Sequence, residues 1–528
     1  MSHHYSLFQH VKNWFCFSLF AVFPILFVYV RNKSFIFEGG VELPLIIIVS
    51  ATSTLYFIFN YLNKKPTNNV IICLMIAWWF LLYGHVYYLI LDFFQLPYSS
   101  FRHRYFLPIY SLLFFLPVFK IWKTSILPPQ FITVFLIIGI SLNVQFLFSI
   151  TKNKNTKEEL SSKSLVSKSS DASDYPDVYY VVMDSYTNSD NLLSYYNYNN
   201  TPFIQQLQQL GFKVLNKAQS NYPYTYFSLP SSLNMEYINY FEDSVSLKKQ
   251  NEDFPFTKIR HNKVADYFKS KGFKYVLFAS AYEQLNDKEQ ADIYVSNKLT
   301  INSFHEALIQ LSILNCLNLE FYSQGVYELC KNSFGLFPQT PNISGNKFVF
   351  FHCLPPHPPH VFDKNGNFIY TNQNVENRYR QKKEYVEQLQ FVNNKMLEML
   401  NAIIKNSKQP PIIILQGDHG SASSERFEDE NKWAQYPARD ILKERFGILN
   451  AFYIPEKYKI NFPDKHTPVN TFRIILNNLF EDSLQILPSK YYFARYRTPY
   501  QFKEVNWPAV YGETKDSLIA TIKQTNAK

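Results

Sequence analysis

Residues Pro411–Gly420 read PIIILQGDHG. The run from Ile412 to Leu415 is far too short to cross a bilayer. Preceded by Pro410 and Pro411 and closed by Gly417, it predicts a strand buried on both faces. Asp418 and His419, two metal-competent side chains, stand at its carboxyl end, and Gly420 permits a sharp exit. In open α/β sheets ligands collect at the carboxyl ends of strands. Taken alone, this tripeptide would suit a solvated turn equally well. Chemistry is favoured because other strands of the chain end in the same way.

DVYYVVMD (Asp177–Asp184) is a second apolar strand, ending in an acid. KFVFFHCL (Lys347–Leu354) is a third and runs into PPHPPH, which sets His357 just past its end. Helical spacing over Thr201–Leu210 stops at Gly211. A second helix, His261–Ser270, leads into the strand Lys274–Ser280. A long amphipathic helix, Glu384–Asn406, feeds the strand at 412–415, and Gly447–Pro455 is a further strand. This alternation predicts an α/β domain with a largely parallel central sheet and helices on both faces.

NYPYTYFSLPSS (Asn221–Ser232) is not a strand pattern. After the Tyr222-Pro223 turn, the spacing of Thr225, Ser228 and Ser231 suits a helix N-terminus carrying a hydroxyl, where exposed backbone N–H groups favour an anion. Carboxylates with an imidazole suit a divalent ion such as zinc or manganese. A hydroxyl set against such an ion becomes a nucleophile at neutral pH. The combination points to transfer of a phosphoryl-type group through a covalent enzyme intermediate. Singly, Asp184 and Thr225 would read as helix caps and His357 as part of a rigid turn. The ordered set carries the inference, and His352 and His360 are left as structural or unassigned.

Among 528 residues, 49 Phe and 39 Tyr make the chain rich in aromatics, and the Phe crowd the first 150 positions. Five apolar stretches there have transmembrane length: Trp14–Val30, Val41–Leu62, Val70–Phe94, Tyr105–Trp122 and Ile132–Ile150. The first has no small-residue cleavage site and reads as a retained span. Trp14, Tyr29 and Trp122 suit an interfacial belt, and neighbouring helices can satisfy the carbonyls freed by Pro24, Pro108 and Pro117. Lys12, Lys64, Lys65, Lys120 and Lys123 favour an inside N-terminus, but Arg31, Lys33, Arg102 and Arg104 nearly cancel them. His85 and Asp92 are polar positions in the third span; Asp92, near its end, suits the interface. Residues 151–174, rich in Ser and Lys, read as a flexible juxtamembrane linker, so the expected division is 1–150, 151–174 and 175–528.

The 14 Gly form neither a Walker A pattern nor GxGxxG, which disfavours a nucleotide phosphate loop. The net charge of +10 comes without a clustered basic stripe, which suits anionic headgroups and not nucleic acid. The five Cys make no zinc pattern. Cys16, Cys73 and Cys353 read as packing residues, whereas Cys316 and Cys330 could pair in an oxidising compartment.

With these residues in view, the chain from Asp177 to about Phe480 resembles the alkaline phosphatase/sulfatase superfamily. Within it, the membrane-anchored branch of lipoteichoic acid synthases and lipid A phosphoethanolamine transferases is most similar. The resemblance lies in DVYYVVMDSYT, SNYPYTYFSLPSSLNMEY, FVFFHCLPPHPPHVFD, ILQGDHG, RFGILNAFYIP and HTPVNTFRIILNNLF, in that order. It implies Asp184, Thr225, Asp418 and His419 as metal ligands and Thr225 as nucleophile. It further implies His357 as the substrate-phosphate histidine and His466 as an additional metal or substrate ligand, although an exposed loop His is an equal reading. There are departures. No C-x-P-S-R motif is present, which disfavours sulfate ester hydrolysis; Ser185 replaces the second acid of two-metal relatives, implying one tightly held ion; and Asp184 stands where several transferases use Glu.

The expected activity is therefore movement of a phosphoglycerol or phosphoethanolamine group from a phospholipid donor to an envelope glycan or lipid acceptor. The layout implies a multi-pass protein of the bacterial cytoplasmic membrane with its catalytic domain facing the periplasm or exterior. A phosphodiesterase or phosphatase would share the first half-reaction, with water as acceptor. A non-catalytic membrane scaffold is the third reading, disfavoured by the presence of Thr225, Asp418 and His419.

Overall fold

The computed structural model describes residues 7–31, 40–63, 65–94, 103–123, 131–151, 159–160, 175–241, 253–286, 289–296, 303–317, 321–370, 381–423, 439–463, 466–495, 498–507 and 522–523. Most of the expected 151–174 linker, together with Lys33, Lys64 and Arg102, lies outside them. The chain divides into two compact units, Met1–Thr156 with Leu299–Tyr322, and Lys157–Lys298 with Ser323–Lys528.

In chain order the α-helices begin with α1 (Leu7–Arg31), α2 (Glu42–Leu62), α3 (Pro66–Leu81), α4 (Tyr83–Phe93), α5 (His103–Lys123) and α6 (Phe131–Thr151). There follow α7 (Ser189–Tyr196), α8 (Thr201–Gln209), α9 (Thr225–Asn234), α10 (Asp253–Arg260) and α11 (Lys263–Ser270). The last are α12 (Ser303–Leu311), α13 (Phe321–Leu336), α14 (Lys382–Asn406), α15 (Arg439–Phe446) and α16 (Thr471–Leu479). The strands are β1 (Glu159–Leu160), β2 (Val178–Met183), β3 (Lys213–Val214), β4 (Lys274–Phe278), β5 (Ile293–Val295) and β6 (Lys347–Cys353). They continue with β7 (Ile412–Gly417), β8 (Asn450–Tyr453), β9 (Tyr492–Arg495), β10 (Thr498–Val505) and β11 (Ile522–Lys523).

In the first unit, α1, α2 and α5 are each long and apolar enough to cross a membrane alone. The expected third span is broken: α3 and α4 meet at a 51° bend and together count as one crossing at most. In α6 the apolar stretch among the described residues is Ile132–Ser141, so the expected count of five is not reached there. Helix α1 packs against α2, α3 and α6. The unit also contains α12, contributed by sequence that the expected division left in the soluble domain.

The second unit is an α/β domain around an eight-stranded sheet of order β1-β5-β4-β6-β2-β7-β8-β3. The six strands from β1 to β7 in that order pair in parallel, and β8 and β3 add an antiparallel edge. Every residue of β2, β6 and β7 is buried, as strands covered on both faces require. Burial of Ile412, Ile413, Ile414 and Leu415 contributes about 1.5–3 kcal/mol each. Gly211, at φ +95°, ends the turn after α8 where a side chain would be strained. The register sets Val182 beside both His352 and Gln416, and Met183 beside Cys353 and Gly417. Residues just beyond β2 and β7 therefore leave the sheet side by side at one edge. A second sheet of order β11-β10-β9 is antiparallel.

The Cys316–Cys330 disulfide that an oxidising compartment would have allowed is not formed. All five cysteines are free, and these two belong to different units.

Candidate metal centre

Strand β2 ends in a tight turn, and β7 ends in Gly417 beside it. Ser185 takes the left-handed conformation (φ 61°), uncommon for a residue with a side chain. It is held there on three sides. Its N–H donates to Asp418 Oδ1 (3.0 Å), its hydroxyl donates to Gly420 O (3.3 Å), and its carbonyl accepts from Tyr385 Oη of α14 (2.9 Å). Gly420 is demanded by close approach: a Cβ there would stand 1.9 Å from Glu444 O and 2.7 Å from Gly447 O. The sharp exit read from the sequence is thus a contact between main chains. Both acids, Asp184 and Asp418, are delivered to the same spot and almost completely buried.

Helix α9 brings the hydroxyl. Thr225 is its first residue, and Ser228 Oγ fastens the helix to the end of β7 by donating to Asp418 O. Thr225 Oγ1 lies 3.1 Å from His419 Nε2. His419 Nδ1 donates to Gly420 O (2.9 Å), which leaves Nε2 as an acceptor for the Thr225 hydroxyl and for Arg445 Nη2 at 3.3 Å. The same Nε2 is 3.5 Å from Asp184 Oδ1 and 3.5 Å from Asp418 Oδ2. Asp184, Thr225, Asp418 and His419, expected together from the sequence, are gathered at one point.

His352, to which the sequence pattern assigns no definite role, joins them. Asp184, His352 and Asp418 each turn a ligand atom into a space where those atoms lie within 4.8 Å of one another. With Nδ1 2.8 Å from Ser280 Oγ, His352 turns its Nε2 toward Asp184 Oδ2 at 3.7 Å. Three buried atoms there, Asp184 Oδ1, Asp418 Oδ2 and His352 Nε2, have no hydrogen-bond partner. Buried polar atoms are nearly always satisfied. Two carboxylate oxygens and an imidazole nitrogen left open toward one another are a donor set that fits a divalent cation.

Electrostatics agree. Burial and the neighbouring Asp418 charge push the Asp184 carboxyl well above its usual range, with Arg445 opposing in part. Burial raises Asp418 to about 6, while the Thr225 hydroxyl and the N–H groups of Ser185 and His419 hold it down. His352 is pushed down to about 3 by burial, and His419 well down by burial and then by the Arg445 charge. Both imidazoles are therefore neutral and able to ligate at physiological pH. Glu444, beside Arg445, is also buried, but its oxygens accept from Ser421 Oγ, Ser423 N, Ser423 Oγ and Tyr196 Oη.

His357 stands at the margin of this group, its ring centroid 6.5 Å from that of His419, and its Nδ1 contacts Pro358 O at 2.6 Å. His360 is buried against Gln388 and Tyr385. His466 makes its contacts elsewhere: it is buried, bonds Thr471 Oγ1 through Nε2 at 2.7 Å, and packs on Phe452 and Phe462. Its burial excludes the exposed loop histidine that the sequence offered as an equal reading.

The Sulfatase family model matches residues 176–472. No curated protein sequence matches the chain. Among solved structures, the C-terminal periplasmic domain of EptC from Escherichia coli is similar at 13% identity and a TM-score of 0.39, covering 63% of this chain and 94% of that one. Lipooligosaccharide phosphoethanolamine transferase A from Neisseria meningitidis is similar at 10% identity and a TM-score of 0.37, covering 88% and 95%. A Bacteroides fragilis protein assigned as a sulfatase is similar at 12% identity and a TM-score of 0.36, covering 64% and 85%.

Proposed function

We propose that this chain, which belongs to the sulfatase family, is a membrane-bound, metal-dependent transferase of a phospho-alcohol group. The group, of phosphoglycerol or phosphoethanolamine type, would pass from a phospholipid to an envelope glycan or lipid. The observation that carries this reading is the Thr225 hydroxyl at a helix N-terminus, 3.1 Å from His419 Nε2 and bordered by two buried carboxylates. Asp184, Asp418, His352 and His419 would hold one divalent ion, zinc or manganese, beside Thr225. When bound, that ion acts as a Lewis acid that eases loss of the Thr225 proton and offsets charge on a phosphoryl oxygen.

The remaining work falls to the chain. Thr225 Oγ1 attacks phosphorus, the P–O bond to the lipid alcohol breaks, and that alcohol leaves with a proton. The Thr225 phosphodiester is then attacked by an acceptor hydroxyl, which restores the free threonine. Backbone N–H groups of the first turn of α9, and the imidazole of His357, whose ring stands 6.5 Å from that of His419, would each donate to a phosphoryl oxygen of the transferred group. A threonine in place of a C-x-P-S-R cysteine favours phosphoryl over sulfuryl chemistry.

We place the catalytic domain on the exterior, as the layout of the membrane-anchored branch implies. Lys65 Nζ donates to Lys123 O at 3.0 Å, and Lys12 Nζ donates to Thr133 Oγ1, so these lysines share one end of the helices. α6 begins at that end, and the chain beyond Thr151 leaves from the other. Lysines favour the cytoplasmic side, but Arg31, Lys33, Arg102 and Arg104 nearly cancel them, so the exterior placement rests on the layout of the membrane-anchored branch.

Intact mass of the full chain, incubated with zinc and a mixed phospholipid extract beside a Thr225→Ala control, tests the reading. A mass adduct confined to wild type, of phosphoglycerol or phosphoethanolamine size, is expected. Free phospho-alcohol released without any adduct or acceptor product would replace the transferase with a hydrolase.

A further inference from the structure

The first unit contains a piece of sequence that returns to it from the second. Residues 303–317, comprising α12 and the 3₁₀ turn Ile313–Leu317, lie between stretches assigned to the α/β unit. Within the helical unit this piece is built in. Phe304, 1% exposed, lies in the core formed by Ile25, Leu26, Tyr29, Val41 and Ala77, and its ring meets that of Tyr29 edge-on at 5.2 Å. Leu308 and Leu311 pack on the same core. Beyond them, Ile313 and Cys316 join a second core with Tyr83, Tyr87 and Phe106, and Asn315 Nδ2 donates to Tyr88 Oη at 3.2 Å.

The helices have a seat for this piece. Gly84 falls at the 51° break between α3 and α4. A Cβ at Gly84 would stand 2.2 Å from Gln310 O and 2.6 Å from Leu311 Cα. Those are main-chain atoms that cannot swing aside, so glycine at 84 is what lets the backbone of α12 lie in the bend. An amphipathic piece resting loosely on a bundle would not need its partner to lack a side chain.

We infer that residues 303–317 are a second attachment of the catalytic unit to the membrane helices, independent of the linker after Thr151. The chain enters the catalytic unit through that linker, returns to wedge α12 into the bent span, and leaves again. Cutting the linker should therefore not free the catalytic unit. The inference stands apart from the proposed chemistry, since the contacts that carry it involve none of the metal-centre residues.

The test uses the full chain with a protease site inserted between Ser164 and Ser170. Membranes are cut to completion, washed at alkaline pH, and assayed for the fragment that carries Thr225. In wild type the fragment is expected in the pellet. Gly84→Leu, which fills the seat, and Phe304→Asp, which spoils the wedge, should each lower the retained fraction about tenfold or more. Both variants left uncut should sediment with the membranes and give the wild-type limited-proteolysis pattern in the catalytic unit, which shows that unit folded. Release of the wild-type fragment by the wash, or equal retention in wild type and both variants, would overturn the inference.

Discussion

Ser280→Ala isolates the part of the metal centre that the sequence least announced. Ser280, 2% exposed, sits just beyond β4, two strands from the acid of β2. Its Oγ contacts His352 Nδ1 at 2.8 Å and accepts the Tyr282 N–H at 3.0 Å. The first contact holds the His352 ring with its Nε2 edge facing Asp184. Removing an orienting partner of this kind weakens metal affinity by about 10–100-fold. Loss of the two hydrogen bonds lowers stability of the metal-free chain by about 1–3 kcal/mol. The effects are separable: zinc affinity is read by competition with a chelator on the detergent-solubilised chain, and stability by thermal unfolding in excess chelator. His352→Ala, which removes the ligand itself, should lower affinity further than Ser280→Ala. If both variants bind zinc within twofold of wild type while unfolding at lower temperature, His352 belongs to the core and the centre consists of Asp184, Asp418 and His419 without it.

Three other outcomes are expected. Zinc affinity should fall as pH drops through the range in which Asp184 and Asp418, both pushed up by burial, take up protons that compete with the ion, whereas His352, pushed down to about 3, stays neutral; a titration flat from pH 7 to 4.5 would contradict this. Gly420→Ala sets a methyl 1.9 Å from Glu444 O, so the loop must move, at a cost near or above the upper end of about 1–3 kcal/mol, with loss of bound zinc. Unchanged metal content and unfolding temperature would show that the loop yields freely. His466→Gln should lower the unfolding temperature yet leave zinc affinity and the Thr225 adduct intact, since His466 bonds Thr471 and packs on Phe452 and Phe462; lost zinc would return it to the site.

Much of this arrangement was legible because it rests on local pattern. Buried strands announce themselves as aliphatic runs, and β2, β6 and β7 fall within a residue or two of the apolar stretches that predicted them. Asp184 and Asp418 were legible because polar residues closing such runs are conspicuous. His352 was not, because it lies inside an apolar strand, where a lone histidine reads as a packed core residue. Only the register that places it beside Val182 reveals it as a neighbour of Asp184. Knowledge that β6 pairs with β2 would have been the missing signal. The bend at Gly84 and the return of residues 303–317 were invisible for a similar reason. A hydrophobic count measures length and apolarity, and neither reports that a helix from two hundred residues onward fills a notch in the third span.

Charge narrows what the centre accepts. Asp184 and Asp418 bring two negative charges into surroundings nearly closed to water, and Arg445, itself 4% exposed, returns one positive charge. Glu444 is answered locally by the hydroxyl and amide donors of Ser421, Ser423 and Tyr196. A net negative charge left buried is costly, and the upward displacement of both acids expresses that cost. A divalent ion would reverse the balance to one positive charge. A phosphodiester carries one negative charge and would bring the loaded centre close to neutrality, whereas a monoester dianion would overshoot it. The same arithmetic holds for a Thr225 phosphodiester, so the intermediate would be as well matched as the donor. For Asp184, Asp418, Arg445 and a divalent ion taken by themselves, a phosphodiester is therefore a better electrostatic match than a phosphate monoester dianion.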